Sequence, residues 1–262
     1  MTGFLDRARL CRAVDGTLWD SLSVVDETAS TNADAAAAAR SGAPQGYVRV
    51  SCHQSAGKGR FDRTWTAPPG TSVAVSALVR PGRRDADWGW LSLLVGVAVI
   101  DAVRDAAGLD ATLKWPNDVL VNGHKIAGIL IELVSGRGRP SAAVIGVGIN
   151  LRLPPEAAIE SALGVTDLAR CLDAPPAGSR LLGLVLAQLH RLLGICAEAG
   201  FEPLRGAWQQ RNAFAELPVQ ILGEAEPLAG TCVGVDSDGA LLLQTSEGLR
   251  RVLSGDVSLR LA

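Results

Sequence analysis

Gln54 to Trp65, QSAGKGRFDRTW, holds two glycines, three cations (Lys58, Arg60, Arg63) and a closing aromatic. Gly57 and Gly59 let the backbone approach a ligand closely and adopt φ values that other residues avoid. The cations can meet an anion through charge-assisted hydrogen bonds, and Arg can do so bidentately. Trp65 offers a flat face to a ring or a cation. A loop of this kind closes over phosphate, although a solvated turn has the same composition. A second stretch, Lys114-Trp-Pro-Asn117-Asp118 to Glu132, contains Asn122-Gly123, a two-residue hairpin signal between β-rich runs. The hairpin folds Lys114, Asn117 and Asp118 back toward Lys125, where each lysine taken singly reads equally well as an edge residue. A third, Ser30-Thr31-Asn32-Ala-Asp34, precedes an alanine run. Ser30 or Thr31 caps that helix, Asp34 suits its positive end, and the same hydroxyls and amide can line a pocket there.

Two familiar phosphate motifs are absent. Gly57-Lys58 is followed by Gly59 rather than Ser or Thr, so it is no P-loop. Gly146-Val-Gly148-Ile-Asn150 lacks the third glycine of a dinucleotide fingerprint.

The elements that must position these residues follow from the pattern. Strands are expected over Leu22–Val25, Tyr47–Ser51, Thr71–Val79 and Ser141–Ile149. Helices are expected from Ser30 to about Gly42 and over Asp85–Ala107, Glu160–Leu172, Arg180–Ala199 and Phe201–Arg211. From Phe214 short strands alternate with turns, the spacing of a small β-barrel, which places a boundary near Asn212. The chain has 262 residues, 48% of them hydrophobic, enough for one large or two modest domains. A net charge of −2 gives no general attraction to nucleic acid. Five scattered cysteines without a Cys-x-x-Cys pair, and three histidines without ligand spacing, argue for free thiols in a reducing cytoplasm and against a zinc site. The N-terminus has no signal-peptide pattern, and the apolar run Leu91–Val103 is too short to span a bilayer.

Five blocks in order carry a likeness: Ser30-Thr31-Asn32; Gln54-x-Ala-Gly57-x-Gly59-Arg60-x-x-Arg63-x-Trp65; Lys114-Trp-Pro-Asn-Asp118; Lys125-x-Ala-Gly128-Ile-Leu-x-Glu132; and Gly146-x-Gly148-Ile-Asn150. Together with the closing Gly255-Asp256-Val-Ser-Leu-Arg260, they resemble the biotin–protein ligases from about Val24 onward. The resemblance implies an α+β chain. Residues 1–212 would form a class II synthetase-like catalytic domain, a mixed, mainly antiparallel sheet packed with helices, and residues 213–262 an SH3-like barrel. It implies that biotin and ATP form biotinyl-5′-AMP, and that biotin then passes to a lysine of a biotin carboxyl carrier domain, as in acetyl-CoA carboxylase.

By the same resemblance Lys125 and Arg60 are catalytic. Biotin would be held by Ser30, Thr31, Asn32, Gln54, Gly57, Lys58, Arg60, Lys125 and Gly128. The nucleotide would meet Lys58, Arg60, Arg63, Trp65, Lys114, Asn117 and Asn150, with Trp65 stacking on adenine. Mg²⁺ would accompany ATP, with Asp118 its partner through water. The expected protein is a cytoplasmic monomer or weak homodimer that meets the carrier through a strand edge. The 29 residues before Ser30 leave little chain for a helix-turn-helix, so no DNA binding is expected. Two departures stand out: Lys58, where many members have Arg, turns a bidentate clamp into a point charge, and Asp62 replaces a common Gly. A lipoate or octanoate ligase of the same fold shares the Lys-Trp-Pro-Asn-Asp block, and a non-catalytic biotin sensor would keep the pocket without the chemistry.

Overall fold

A computed structural model describes residues 5–61, 63–80, 88–136, 139–154, 163–222, 228–253 and 258–261. Asp62 and the Gly255-Asp256 part of the closing motif lie outside them. The chain runs α1 (Arg7–Val14), β1 (Ser21–Val25), α2 (Thr31–Arg40), β2 (Tyr47–Ser51), β3 (Ser72–Val79), α3 (Leu91–Ala107), β4 (Thr112–Lys114), β5 (Asp118–Val121), β6 (His124–Gly136), β7 (Arg139–Asn150), α4 (Leu168–Cys171), α5 (Gly178–Ala199) and α6 (Glu202–Gln209). It closes with β8 (Pro218–Leu222), β9 (Leu228–Val235), β10 (Leu241–Thr245), β11 (Gly248–Val252) and β12 (Ser258–Leu261).

The first seven strands form one sheet in the order β1-β2-β3-β7-β6-β5-β4, antiparallel except for the β1–β2 pair. Strand alternation sorts its two faces. Val73, Val75, Ala77 and Val79 of β3, and Ile145, Val147 and Ile149 of β7, join the main core. Leu78 and Val144 face α2, whose Ala35, Ala36 and Ala39 let it lie close to the sheet. The same α2-side face of β3 and β7 carries Ala74, Ser76, Gly146 and Gly148, and the groove described below is built there.

The hairpin forms where Asn122-Gly123 places it, with φ of 50° and 78°. Two helices differ from the sequence reading. The one expected from Asp85 begins at Leu91, and residues 85–87 are not described. Of the helix expected over Glu160–Leu172, only Leu168–Cys171 is helical among the described residues, capped by Asp167. Ahead of it the chain runs alongside Lys125, whose N–H donates to Gly164 O at 3.2 Å and whose carbonyl accepts from Thr166 N at 2.9 Å. Gly164, at φ +70°, makes the turn that an unbroken helix would forbid.

Helix α5 is the one described helix long and apolar enough, by length and composition, to cross a membrane. Here its Leu181, Leu182, Val185, Leu186, Leu189 and Leu192 are buried in the core. Asp101 on α3 ties the helices together, accepting from Arg104 at 3.1 Å, Arg211 at 2.9 Å and Arg191 at 3.4 Å.

The remaining strands form a separate antiparallel sheet, ordered β11-β10-β9-β8-β12. It is not loosely tethered. Leu113 N donates to Arg211 O at 2.7 Å, and Ala213 N donates to Leu113 O at 2.9 Å, so the connecting segment runs along β4. The fully buried Trp115 donates its ring N–H to Gly239 O, in the β9–β10 turn, at 3.1 Å. Gly239 is at φ +84°, and a Cβ there would lie 2.8 Å from the Cα of Trp90.

Candidate active site

Two cross-strand rows of small residues make the floor of a groove on the α2 face. In one, Ala74 pairs with Gly148 and Gly148 with Gly128; in the next, Ser76 pairs with Gly146 and Gly146 with Leu130. Larger side chains lie where the glycines leave room. A Cβ on Gly148 would fall 2.7 Å from the Trp65 ring, one on Gly128 2.9 Å from it, and one on Gly146 2.2 Å from Asn32 Oδ1. The Gly146-x-Gly148 pattern thus makes space for two specific side chains rather than for a nucleotide fingerprint. The resulting cavity is about 140 Å³.

One end is neutral and buried. Ser30 caps α2, accepting from Ala33 N at 3.4 Å, which puts Ser30, Thr31 and Asn32 at the helix mouth. Thr31 N donates to Gln54 Oε1 at 2.8 Å, and the Thr31 hydroxyl lies 3.0 Å from the same oxygen. Ser76 Oγ lies 2.7 Å from Thr31 Oγ1 and 2.6 Å from Asn32 Oδ1. Asn32 Nδ2 donates to Glu132 Oε2 at 2.7 Å.

The other end is ionic. Asp118 holds two lysines, Lys125 Nζ at 2.6 Å from Oδ1 and Lys114 Nζ at 3.3 Å from Oδ2. Burial pushes the Asp118 carboxyl up, but Lys125 and then Lys114 outweigh it and hold it below its ordinary value. Lys125 Nζ also stands 5.7 Å over the Trp65 ring centre. Asn117 fastens this platform to β6, its side-chain amide donating to Ile129 O at 2.8 Å and its carbonyl accepting from Ile129 N at 3.0 Å. Asn150, buried and on the same cavity wall, donates to Thr166 O at 3.0 Å.

The loop between the ends is a tight excursion. Trp65 N donates to Gly57 O at 2.9 Å and Gly59 N to Arg63 O at 2.7 Å, so its neck and body are closed by main chain. The Arg60 guanidinium stands 4.7 Å from the Phe61 ring centre. The Trp65 indole lies against the glycine floor with its N–H buried and unpartnered.

Of the residues singled out in the sequence, the cavity wall includes Ser30, Thr31, Asn32, Gln54, Lys58, Arg60, Arg63, Trp65, Lys114, Asn117, Asp118, Lys125, Gly128 and Asn150. Gly57 is not on the wall. It sits in the loop neck, where a Cβ would fall 2.5 Å from Trp65 O, so its smallness serves the loop rather than a ligand. Asn32 reaches the wall, yet both ends of its carboxamide are engaged by protein partners. The sequence reading passed over Ser76. Its signal was a serine in the middle of an apolar strand, on the groove side and opposite a glycine.

Comparisons with known proteins agree along the chain. Residues 24–150 match the model of the Biotin/lipoate A/B protein ligase family, and residues 218–260 that of the Biotin protein ligase C terminal domain. The Biotin--[acetyl-CoA-carboxylase] ligase of Mycobacterium tuberculosis is 34% identical over 248 residues, 92% of this chain and 90% of the relative. The Bifunctional ligase/repressor BirA of Bacillus subtilis is 34% identical over 246 residues, 89% of this chain and 72% of the relative. The structure of Biotin protein ligase from Aquifex aeolicus in complex with biotin and ATP superposes with a TM-score of 0.81 at 27% identity, covering 93% of this chain and all of that one.

Proposed function

The chain belongs to the biotin/lipoate A/B protein ligase family, and on that footing we propose that its groove joins biotin to ATP and passes the biotinyl group to a carrier lysine. The observation that carries this is the groove's two-ended chemistry: a buried neutral hydrogen-bonding end, and a lysine–aspartate platform over the same glycine floor. The ureido ring of biotin is neutral and needs neutral partners, which Ser30, Thr31 and Gln54 offer. Its carboxylate and the α-phosphate of ATP repel each other, so their encounter needs fixed cations.

In the first step a carboxylate oxygen attacks the α-phosphorus, and pyrophosphate leaves with the electrons of the broken P–O bond. Lys125, anchored by Asp118 at the ionic end of the groove, stabilises the charge that builds on phosphorus. Arg60, with Lys58 and Arg63 on the same loop, covers the adenylate and limits access of water. In the second step the neutral amine of the carrier lysine attacks the acyl carbon. The C–O bond to AMP breaks, and the nitrogen loses its proton. The nucleotide lies toward Lys114, Asn117 and Asn150. Trp65 meets biotin or the linker carbons as well as adenine, since its ring lies on the glycine floor beside Lys125.

ATP acts as its magnesium complex. Asp118 does not fit as a direct ligand, because its two oxygens face ammonium groups at 2.6 and 3.3 Å. Its part is to hold the lysines. We place the boundary between catalytic and C-terminal domains near Asn212, where the chain leaves β4 for the second sheet.

The test is the intact mass of a biotin carboxyl carrier domain after incubation with the protein, biotin and MgATP, with lipoate in parallel. One biotinyl group gained, dependent on ATP, is the expected result. Gain with lipoate alone would assign the lipoate reaction instead. No gain, with biotin bound tightly by calorimetry, would make the protein a biotin sensor.

A further inference from the structure

Behind the neutral end of the groove a half-buried Glu132 and the buried Asn32 and Ser76, side chains that the proposed chemistry leaves unused, run in a hydrogen-bonded chain to Thr31. Its hydrogen-bond directions are set chiefly by one carboxylate, with the Leu130 carbonyl, 3.4 Å from Asn32 Nδ2, a longer second acceptor for the same NH₂. A carboxylate only accepts, so the Asn32 amide must turn its NH₂ toward Glu132 Oε2, 2.7 Å away. That leaves the carbonyl oxygen of Asn32 toward Ser76, and an amide oxygen also only accepts. Ser76 has a single proton and gives it to Asn32 across 2.6 Å. Toward Thr31, 2.7 Å away, Ser76 can then only accept. The other neighbour of the Thr31 hydroxyl, Gln54 Oε1 at 3.0 Å, is an acceptor as well. The Thr31 proton is held between these two, so its oxygen meets a ligand with a lone pair. Gln54 Oε1 is in turn engaged by Thr31 N–H at 2.8 Å, so Gln54 presents its NH₂.

We propose that Glu132 is a positioning residue that fixes, through Asn32 and Ser76, the donor–acceptor pattern of the biotin-binding end, making Thr31 an acceptor for a ureido N–H. This rests on the function proposed above. Along this chain Glu132 is separated from the ligand by three side chains, Asn32, Ser76 and Thr31, and it is placed on none of the reacting atoms. The glycine at 146 belongs to the same device, since a Cβ there would fall 2.2 Å from Asn32 Oδ1 and push Asn32 out of the chain.

Glu132→Gln keeps the shape but can donate or accept, so only the longer contact to Leu130 O still directs Asn32, and Asn32, Ser76 and Thr31 can reverse far more readily. Its biotin affinity by calorimetry, and its KM for biotin, should worsen about tenfold, the worth of one hydrogen bond to a fixed partner. The KM for ATP and kcat should stay within about twofold. Ser76→Ala cuts the chain between Glu132 and Thr31. In that background Glu132→Gln should cost no further biotin affinity, whereas independent effects would multiply. Biotin affinity of Glu132→Gln within twofold of wild type, or equal losses in both backgrounds, would overturn the inference. A general loss of packing would lower kcat and ATP binding too, and would also overturn it. Wild-type protein that binds no biotin would instead remove the proposed function.

Discussion

The two ends of the groove are built on opposite principles. At the neutral end Ser30, Thr31, Asn32 and Ser76 are all buried, and the last three are cross-linked to one another and to Gln54 and Glu132. At the ionic end Lys125 is partly exposed and held chiefly by a charge partner, and Lys58 and Arg63 on the adjoining loop are exposed. A neutral ring gives little long-range attraction, so its recognition depends on directions set before it arrives. Phosphate is met by charges that act over a longer distance and can shift as the reaction proceeds. Preorganisation is placed where geometry discriminates, and adaptability where charge develops.

Removing the central cation should separate the ends most sharply. Lys125→Ala is expected to slow adenylate formation by about 10²–10³-fold, as for loss of one transition-state charge partner. Its biotin affinity should change far less, and biotin-dependent exchange of pyrophosphate into ATP measures the former while calorimetry measures the latter. Loss of biotin binding to the same degree would erase the distinction. Gly146→Ala attacks the other end. Its methyl group overlaps Asn32, so stability should fall by about 1–3 kcal/mol in denaturant unfolding, with weaker biotin binding. Unchanged biotin affinity would mean that the neutral end tolerates misdirection.

Asp118→Asn tests whether the ionic end is held by charge. Two charge-assisted contacts are lost, for an expected cost of about 1–3 kcal/mol at neutral pH. Because the Asp118 carboxyl is held low, its contribution is complete above roughly pH 4 and is lost as pH falls through the lowered value. The gap between wild type and variant should therefore be flat across the neutral range and close only on acidification. A gap that varies between about pH 6 and 8 would point to another titrating group. The smallest effect is expected at the exposed loop. Lys58→Arg restores the commoner residue and should change the KM for ATP by less than about threefold. A larger gain would show that the loop, too, depends on fixed geometry.

Much of this was legible in the sequence because the signals were local. Asn122-Gly123 set the hairpin that brings Asp118 between two lysines, and Ser30 declared the start of α2. Alternation gave the strands, and the shift to short strands after Phe214 gave the second sheet. What escaped was decided by pairing across distance. The run before Leu168 reads as helix by its apolar spacing, but the main chain of Lys125 captures it. Gly57 reads as a ligand contact, yet its neighbours are the atoms of its own loop. Ser76 is one of two serines in a buried strand, and only the register with Gly146 shows that it faces Asn32.

The ring N–H of Trp115 ends on the carbonyl of Gly239, more than a hundred residues later in the chain. That tryptophan follows Lys114 directly, so the platform carrying both lysines is locked from beneath by the β9–β10 turn. During synthesis, the catalytic half should remain unfinished until that turn has left the ribosome. A nascent chain lacks this bond until Gly239 has been added.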